Sequence, residues 1–186
     1  MTLFVRGLAG MVLLLFVNAA TLSATTLAGV SFSDHYDIQG HHLKLKGLGL
    51  KRFFIFKIFV VGFYEEETAP DPLADAAKRL EVAYFQNIPA ARLAKETRRK
   101  MMLNTTKEAF DKISKRVDVM DPYFVNIKTG DRYVLTYIPG TGTTFTYNGK
   151  DVGVIEGADF ARALFAVWFG KFPVDENLKT RLSGAR

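Results

Sequence analysis

Apolar side chains recur at every second position through some stretches of the chain and at every third or fourth position through others, which separates candidate strands from candidate helices. Val30–Tyr36 and His41–Lys46 read as short strands around a turn at Asp37–Gly40. Arg52–Tyr64 is the longest predicted strand. Phe53, Ile55, Phe59, Val61 and Phe63 mark one of its faces and Phe54, Phe56, Ile58, Val60 and Tyr64 the other, the pattern of a central strand covered on both sides. A short helix is predicted over Asp71–Ala77 and a strand over Arg79–Gln86. Helical spacing follows over Pro89–Leu103, with proline suited to the first turn, and over Thr105–Lys115. Strands are predicted at Asp131–Ile138, Thr143–Tyr147 and Asp151–Glu156, the last two joined by the hairpin signal Asn148-Gly149. Ala158–Phe169 reads as an apolar helix ended by Gly170, and Asp175–Leu182 as a short helix capped by Asp175. Helices grouped between and after the strands predict an α+β fold, an antiparallel sheet with helices on one face.

The start of the chain has a different character. Arg6 precedes an apolar run from Leu8 to Val17, Asn18 interrupts it, and small residues follow. A membrane-spanning helix needs about 18 or more apolar residues, so this order reads as a secretory signal. Residues 1–28 are therefore expected to be a signal peptide cleaved after Ala28, with Ala19-Ala20 and Ser23-Ala24 as other possible sites. An uncleaved anchor is the rival reading. Residues 29–186 carry no repeat or linker and read as one domain, periplasmic or secreted.

There is no cysteine, which excludes disulfides, thiolate metal sites and cysteine nucleophiles. A net charge of +6 favours anionic partners. Helix 89–103 concentrates it in Arg92, Lys95, Arg98, Arg99 and Lys100. A solvated helix face, peripheral contact with an anionic membrane surface and an arginine turned toward a ligand carboxylate all fit. The helix has no aromatic residue for base stacking, so nucleic acid is not expected.

Lys57 is the one charge inside the long apolar strand. It is expected either to pair with a neighbouring acid such as Glu81 or to hold an acidic head group. Gly47-Leu48-Gly49-Leu50 reads as a turn delivering Lys51 and Arg52 to the mouth of that strand. Sixteen phenylalanines can line an apolar pocket or fill a core. The three histidines, His35, His41 and His42, do not form a metal motif, and the hydrolase motifs G-x-S-x-G and H-E-x-x-H are absent. No metal and no cofactor are expected.

Several segments together resemble the chalcone isomerase-like family, in particular its signal-bearing bacterial branch. They are Gly47–Lys51 followed by Phe56–Tyr64, then Lys78–Glu81, Tyr137-Ile138-Pro139-Gly140, Asn148-Gly149-Lys150, Gly153–Phe165 and Trp168–Lys179. The resemblance runs from about Phe32 to Gly184 and implies an open-faced β-sandwich, a large antiparallel sheet covered by a layer of helices. The plant enzymes of the family cyclise chalcones. Their arginine before the long strand falls on Lys51, with Arg52 beside it, and their strand threonine falls on Phe59. Their helix tyrosine and asparagine have no counterpart in Pro89–Leu103, and their late Ser/Thr falls near Val174 or Asp175. A chain without these polar groups lacks oxyanion stabilisation. Other members of the fold bind fatty acids through an arginine on the helix layer and a tyrosine, and Arg92 is the candidate for that arginine.

These readings point to a non-catalytic protein that binds a fatty acid or similar amphipathic anion, with Lys51, Arg52, Lys57, Phe59 and Arg92 as ligand-binding residues. The alternatives are an isomerase (an intramolecular lyase acting on an enone), which requires a pocket with a hydrogen-bonding pair such as Tyr64 or Tyr84 with Lys57, and an envelope scaffold without a small ligand.

Overall fold

The computed structural model describes residues 23–184, so most of the expected signal peptide lies outside the described residues. Strands β1 (Ala24–Leu27) and β2 (Val30–Ser33) form a separate antiparallel hairpin. Seven strands then build one antiparallel sheet in sequence order: β3 (His35–Ile38), β4 (His41–Phe53), β5 (Phe56–Glu65), β6 (Lys78–Tyr84), β7 (Arg132–Ile138), β8 (Gly142–Tyr147) and β9 (Lys150–Ile155). Helices α1 (Ala90–Leu103), α2 (Lys107–Met120), α3 (Ala158–Phe169) and α4 (Glu176–Leu182) complete the chain.

Strand alternation divides the core between two faces. Phe59, Val61 and Phe63 of β5 and Leu80, Val82 and Tyr84 of β6 share a cluster with the buried side of α3, including Phe160, Leu164 and Phe165. Val60 and Tyr64 of β5 and Ala83 of β6 belong to a second cluster on the opposite face, beneath Phe32 of the β1–β2 hairpin. The sheet is thus covered by helices on one side and by the hairpin on the other.

The helices end where their local chemistry dictates. The Asn126 side-chain oxygen accepts from the Ala90 amide at 2.9 Å, capping α1 from a distant loop. Thr106 caps α2 by accepting from Ala109, and Asp175 caps α4 by accepting from Leu178.

Several predicted boundaries differ: Val30–Tyr36 divides between β2 and β3, and the helix expected over Thr105–Lys115 runs to Met120. The long strand over Arg52–Tyr64 is two strands: β4 runs through the expected glycine turn to Phe53, a two-residue turn follows at Phe54-Ile55, and β5 starts at Phe56. Gly47 and Gly49 serve close approach instead. A Cβ at Gly47 would lie 2.0 Å from the Arg181 carbonyl oxygen, and one at Gly49 would lie 2.5 Å from the Leu178 side chain, so α4 rests directly on β4. Asp71–Ala77 is a series of turns rather than a helix, held by the buried Lys78 ammonium, which donates to the Pro72 carbonyl at 2.8 Å and to that of Ala74. Strand β1, which precedes Ala28, pairs along its whole length with β2.

Candidate functional site

A cavity of about 620 Å3 opens between the helix-covered face of the sheet and helices α1 and α3. Phe59, Val82 and Leu135 contribute from three adjacent strands, and Leu93, Leu164 and Trp168 face them from the helices. Phe59 meets Tyr84 and Trp168 edge to face, at centroid separations of 5.9 and 5.8 Å. Edge-to-face pairs of this kind are a favourable aromatic geometry and leave the wall apolar.

The lining also includes polar and charged groups. Lys51, Arg92, Arg99 and Lys100 all line the cavity, with Glu96 as the acid among them. Three of the cations are engaged. Lys51 donates to Asp175. Arg99 forks onto Glu96 at 3.0 and 2.8 Å. Lys100 donates to the carbonyls of Phe172 and Pro173, at 3.2 and 2.5 Å. Arg92 is exposed at the rim and has no acidic partner among the described residues. Glu96 lies one turn away on the same helix, but Arg99 occupies it.

Tyr84 rises from β6 into the same cavity. Burial pushes its hydroxyl well above the ordinary tyrosine value, so it stays protonated and able to donate. Tyr133 is likewise raised, first by burial and then by the neighbouring Tyr84, but its hydroxyl is committed to the Tyr123 carbonyl at 2.9 Å. Burial alone would raise the Asp175 carboxyl. The hydrogen bonds from Lys51 and the Leu178 amide outweigh that, and it sits below the usual carboxylate value.

Of the five residues singled out from sequence, Lys51, Phe59 and Arg92 come together on this cavity, and Arg52 and Lys57 do not. Arg52 lies in a separate groove beside Asn177 and Arg181. Arg52 and Lys57 are register partners across β4 and β5, and a register shift at Lys51/Arg52 separates Arg52 from its neighbour. The Lys57 ammonium turns to the hairpin side, 3.4 Å from the Ala28 carbonyl and 5.3 Å above the Phe85 ring.

The expected Lys57–Glu81 pair does not form. Glu81 lies opposite Gly62 in the ladder, five residues beyond Lys57, and takes Arg132 as its close partner. It also accepts from the Tyr36 hydroxyl at 3.0 Å, and Arg79 stands 3.6 Å away. This buried polar cluster occupies the face opposite the cavity.

The sequence offered Tyr84 only for the isomerase alternative, beside Tyr64 and Lys57, and of these three Tyr84 alone lines the cavity. The available signal was the alternation of β6, which puts Tyr84 in step with Leu80 and Val82 on the helix-covered face. The basic helix was also read as carrying several candidate cations, whereas Arg98 is taken by Asp118 and Asp121, each at 2.7 Å.

The fold is shared with proteins of known structure. The crystal structure of an Arabidopsis thaliana fatty-acid binding protein superposes with a TM-score of 0.65 at 13% identity, covering 87% of this chain and 96% of that one. No curated protein matches the chain by sequence. The family model described as chalcone isomerase-like matches residues 24–184, nearly all of the chain and every described strand and helix, so this protein belongs to the chalcone isomerase-like family.

Proposed function

We propose that this protein binds a fatty acid or similar amphipathic anion without transforming it. The observation that carries this reading is the cavity itself: apolar walls on both sides and, at the rim, an arginine with no internal acid. Its volume of about 620 Å3 lies within the roughly 300–1,000 Å3 usual for small-molecule sites. The tail would lie against Phe59, Val82 and Trp168, the carboxylate would meet Arg92, and Tyr84 supplies a further donor. A guanidinium suits a carboxylate because it offers two parallel hydrogen bonds.

The isomerase reading is weaker on the same geometry. Lys51, where the plant enzymes place an arginine, is neutralised by Asp175, and Phe59 offers no hydrogen bond where they place a threonine. The scaffold reading calls for a filled core, which the cavity argues against.

The test uses Trp168, the chain's one tryptophan, as a reporter on the cavity wall. Titration with palmitate should change its fluorescence saturably, and Arg92→Met should weaken binding by roughly tenfold or more, the effect of losing a charge-assisted hydrogen bond. No fluorescence change and no co-purifying lipid would reject the reading. Turnover of a chalcone would replace it with the isomerase.

We also propose that the protein works outside the cytoplasm after removal of its N-terminal segment. Because β1 is part of the fold, processing at Ala20 fits it better than processing after Ala28. Mass spectrometry of the protein recovered from its own cells decides between them.

A further inference from the structure

The β4–β5 hairpin ends in Phe53-Phe54-Ile55-Phe56, four consecutive apolar residues that stand in solvent. Their exposures are 63, 84, 80 and 59%. Phe53 pairs with Phe56 across the ladder, which leaves Phe54-Ile55 as a two-residue turn. Phe54 has φ of +51°, a left-handed conformation that such turns normally give to glycine or asparagine. An aromatic residue there suits neither the turn nor, being exposed, the core. Its apolar surface is accounted for by burial against something outside the chain.

The charges behind the tip indicate what that is. Arg52 and Lys57 are register partners on β4 and β5, like charges placed across one ladder, with the Lys57 ammonium 3.4 Å from the Ala28 carbonyl. Neither has an acidic partner among the described residues. An apolar tip backed by cations matches the interface of an anionic bilayer, where aromatic and aliphatic side chains enter the acyl boundary and cations meet phosphate groups. Four tip residues are also too few for a stable protein interface, which buries about 1,200–2,000 Å2.

We propose that the β4–β5 hairpin is a membrane-docking element that inserts Phe54 and Ile55 into the surface of an anionic lipid bilayer, with Arg52 and Lys57 binding headgroup phosphates. Phe53 belongs both to the tip and to the cavity lining, so the docked protein holds the cavity rim at the lipid surface. Docking needs only the tip and its cations and stands independently of what the cavity binds.

Because the chain has no cysteine, Ile55→Cys carries a single environment-sensitive dye at the tip. On vesicles of phosphatidylcholine with a quarter phosphatidylglycerol, its emission should shift to the blue, while the same dye on Lys107→Cys, at the exposed start of α2, should not shift. In flotation with the same vesicles, the double variant Phe54→Gly/Ile55→Ser should bind roughly tenfold or more weakly, the loss expected when two apolar side chains are withheld. Glycine relieves the turn, so this variant should fold at least as well as the parent, and its tip residues do not line the cavity. Arg52→Ser and Lys57→Ser should each weaken binding about fivefold at low salt. An unshifted tip dye, or equal flotation of parent and double variant, would overturn the proposal. A concentration-dependent dimer abolished by the double variant would reassign the tip to a second copy and overturn it equally.

Discussion

Lys51 and Asp175 lie 124 residues apart in sequence and are joined at the cavity edge, where one carboxylate oxygen accepts from the lysine and the other caps helix α4. The two jobs are separable, because asparagine keeps a side-chain oxygen for the cap and loses the charge. Asp175→Asn should therefore leave α4 in place and release Lys51 toward the cavity. The expected result is tighter binding of a fatty-acid anion by up to about fivefold, the value of a partly exposed charge pair, with unfolding stability changed by less than about 1 kcal/mol. Trp168 fluorescence titration and urea unfolding read the two effects.

On the other face of the sheet the charges are structural. Glu81 is only 3% exposed and relies on Arg132. Arg132→Met should cost about 3 kcal/mol, because it strands a buried carboxylate that Arg79 reaches only at 3.6 Å. Adding Glu81→Gln should recover part of that loss. Ligand affinity should not change in either variant, since the cluster lies across the sheet from the cavity.

Lys78 gives the protein an alkaline signature. Burial brings its ammonium down to about 8 from the ordinary 10.5, against the pull of Glu65, Asp71 and Asp75. A lysine depressed in the folded state binds fewer protons there than in the unfolded chain, so stability rises as pH passes upward through the folded value. Between about pH 8 and 9.5 the gain should approach 2 kcal/mol. Above about pH 10 it should reverse, as the buried tyrosines, raised when folded, ionise more readily in the unfolded chain. Lys78→Met should abolish the rise and leave the later fall.

The approach of α4 to β4 predicts a graded pair of variants. Gly47→Ala drives a methyl group into the Arg181 backbone, which cannot yield without moving the helix, whereas Gly49→Ala meets the end of the Leu178 side chain, which can rotate. Gly49→Ala should cost about 1–2 kcal/mol and Gly47→Ala distinctly more. Urea midpoints measure the order.

Strand β1 should matter to stability. Ser23 and Thr25 both donate to the Asp34 carboxylate, Thr25 at 2.7 Å, and Leu27 packs on the hairpin-side cluster. A chain starting at Gly29 should be less stable than one starting at Thr21 by about 2 kcal/mol or more. Equal midpoints would make the hairpin dispensable.

Apolar patterning was enough to place β6 through β9 to within a residue or two. It was silent on the β4–β5 turn, where Phe54, within a run of four large apolar residues, takes a position that turn chemistry reserves for glycine or asparagine, and the run read as unbroken strand. It was equally silent on pairing partners. Lys57 and Glu81 looked matched by charge, but ladder register, set by the hairpins, holds them apart. Arg92 and Lys51 were legible as cations near the site. Which of them was free depended on Asp175, 124 residues from Lys51, and on Glu96 taking Arg99 rather than Arg92, two same-helix spacings between which the sequence does not choose.

The division of labour between the two faces of the sheet bears on how such a protein diverges. Along β5 and β6 successive residues alternate between the cavity side and the Glu81 side, so one strand carries two sets of positions with separate physical duties. Exchanges at Phe59, Val82 or Trp168 can reshape what the cavity accepts without disturbing the buried charges that hold the strands together. The shape of the cavity can then change by small steps, each made from a folded parent.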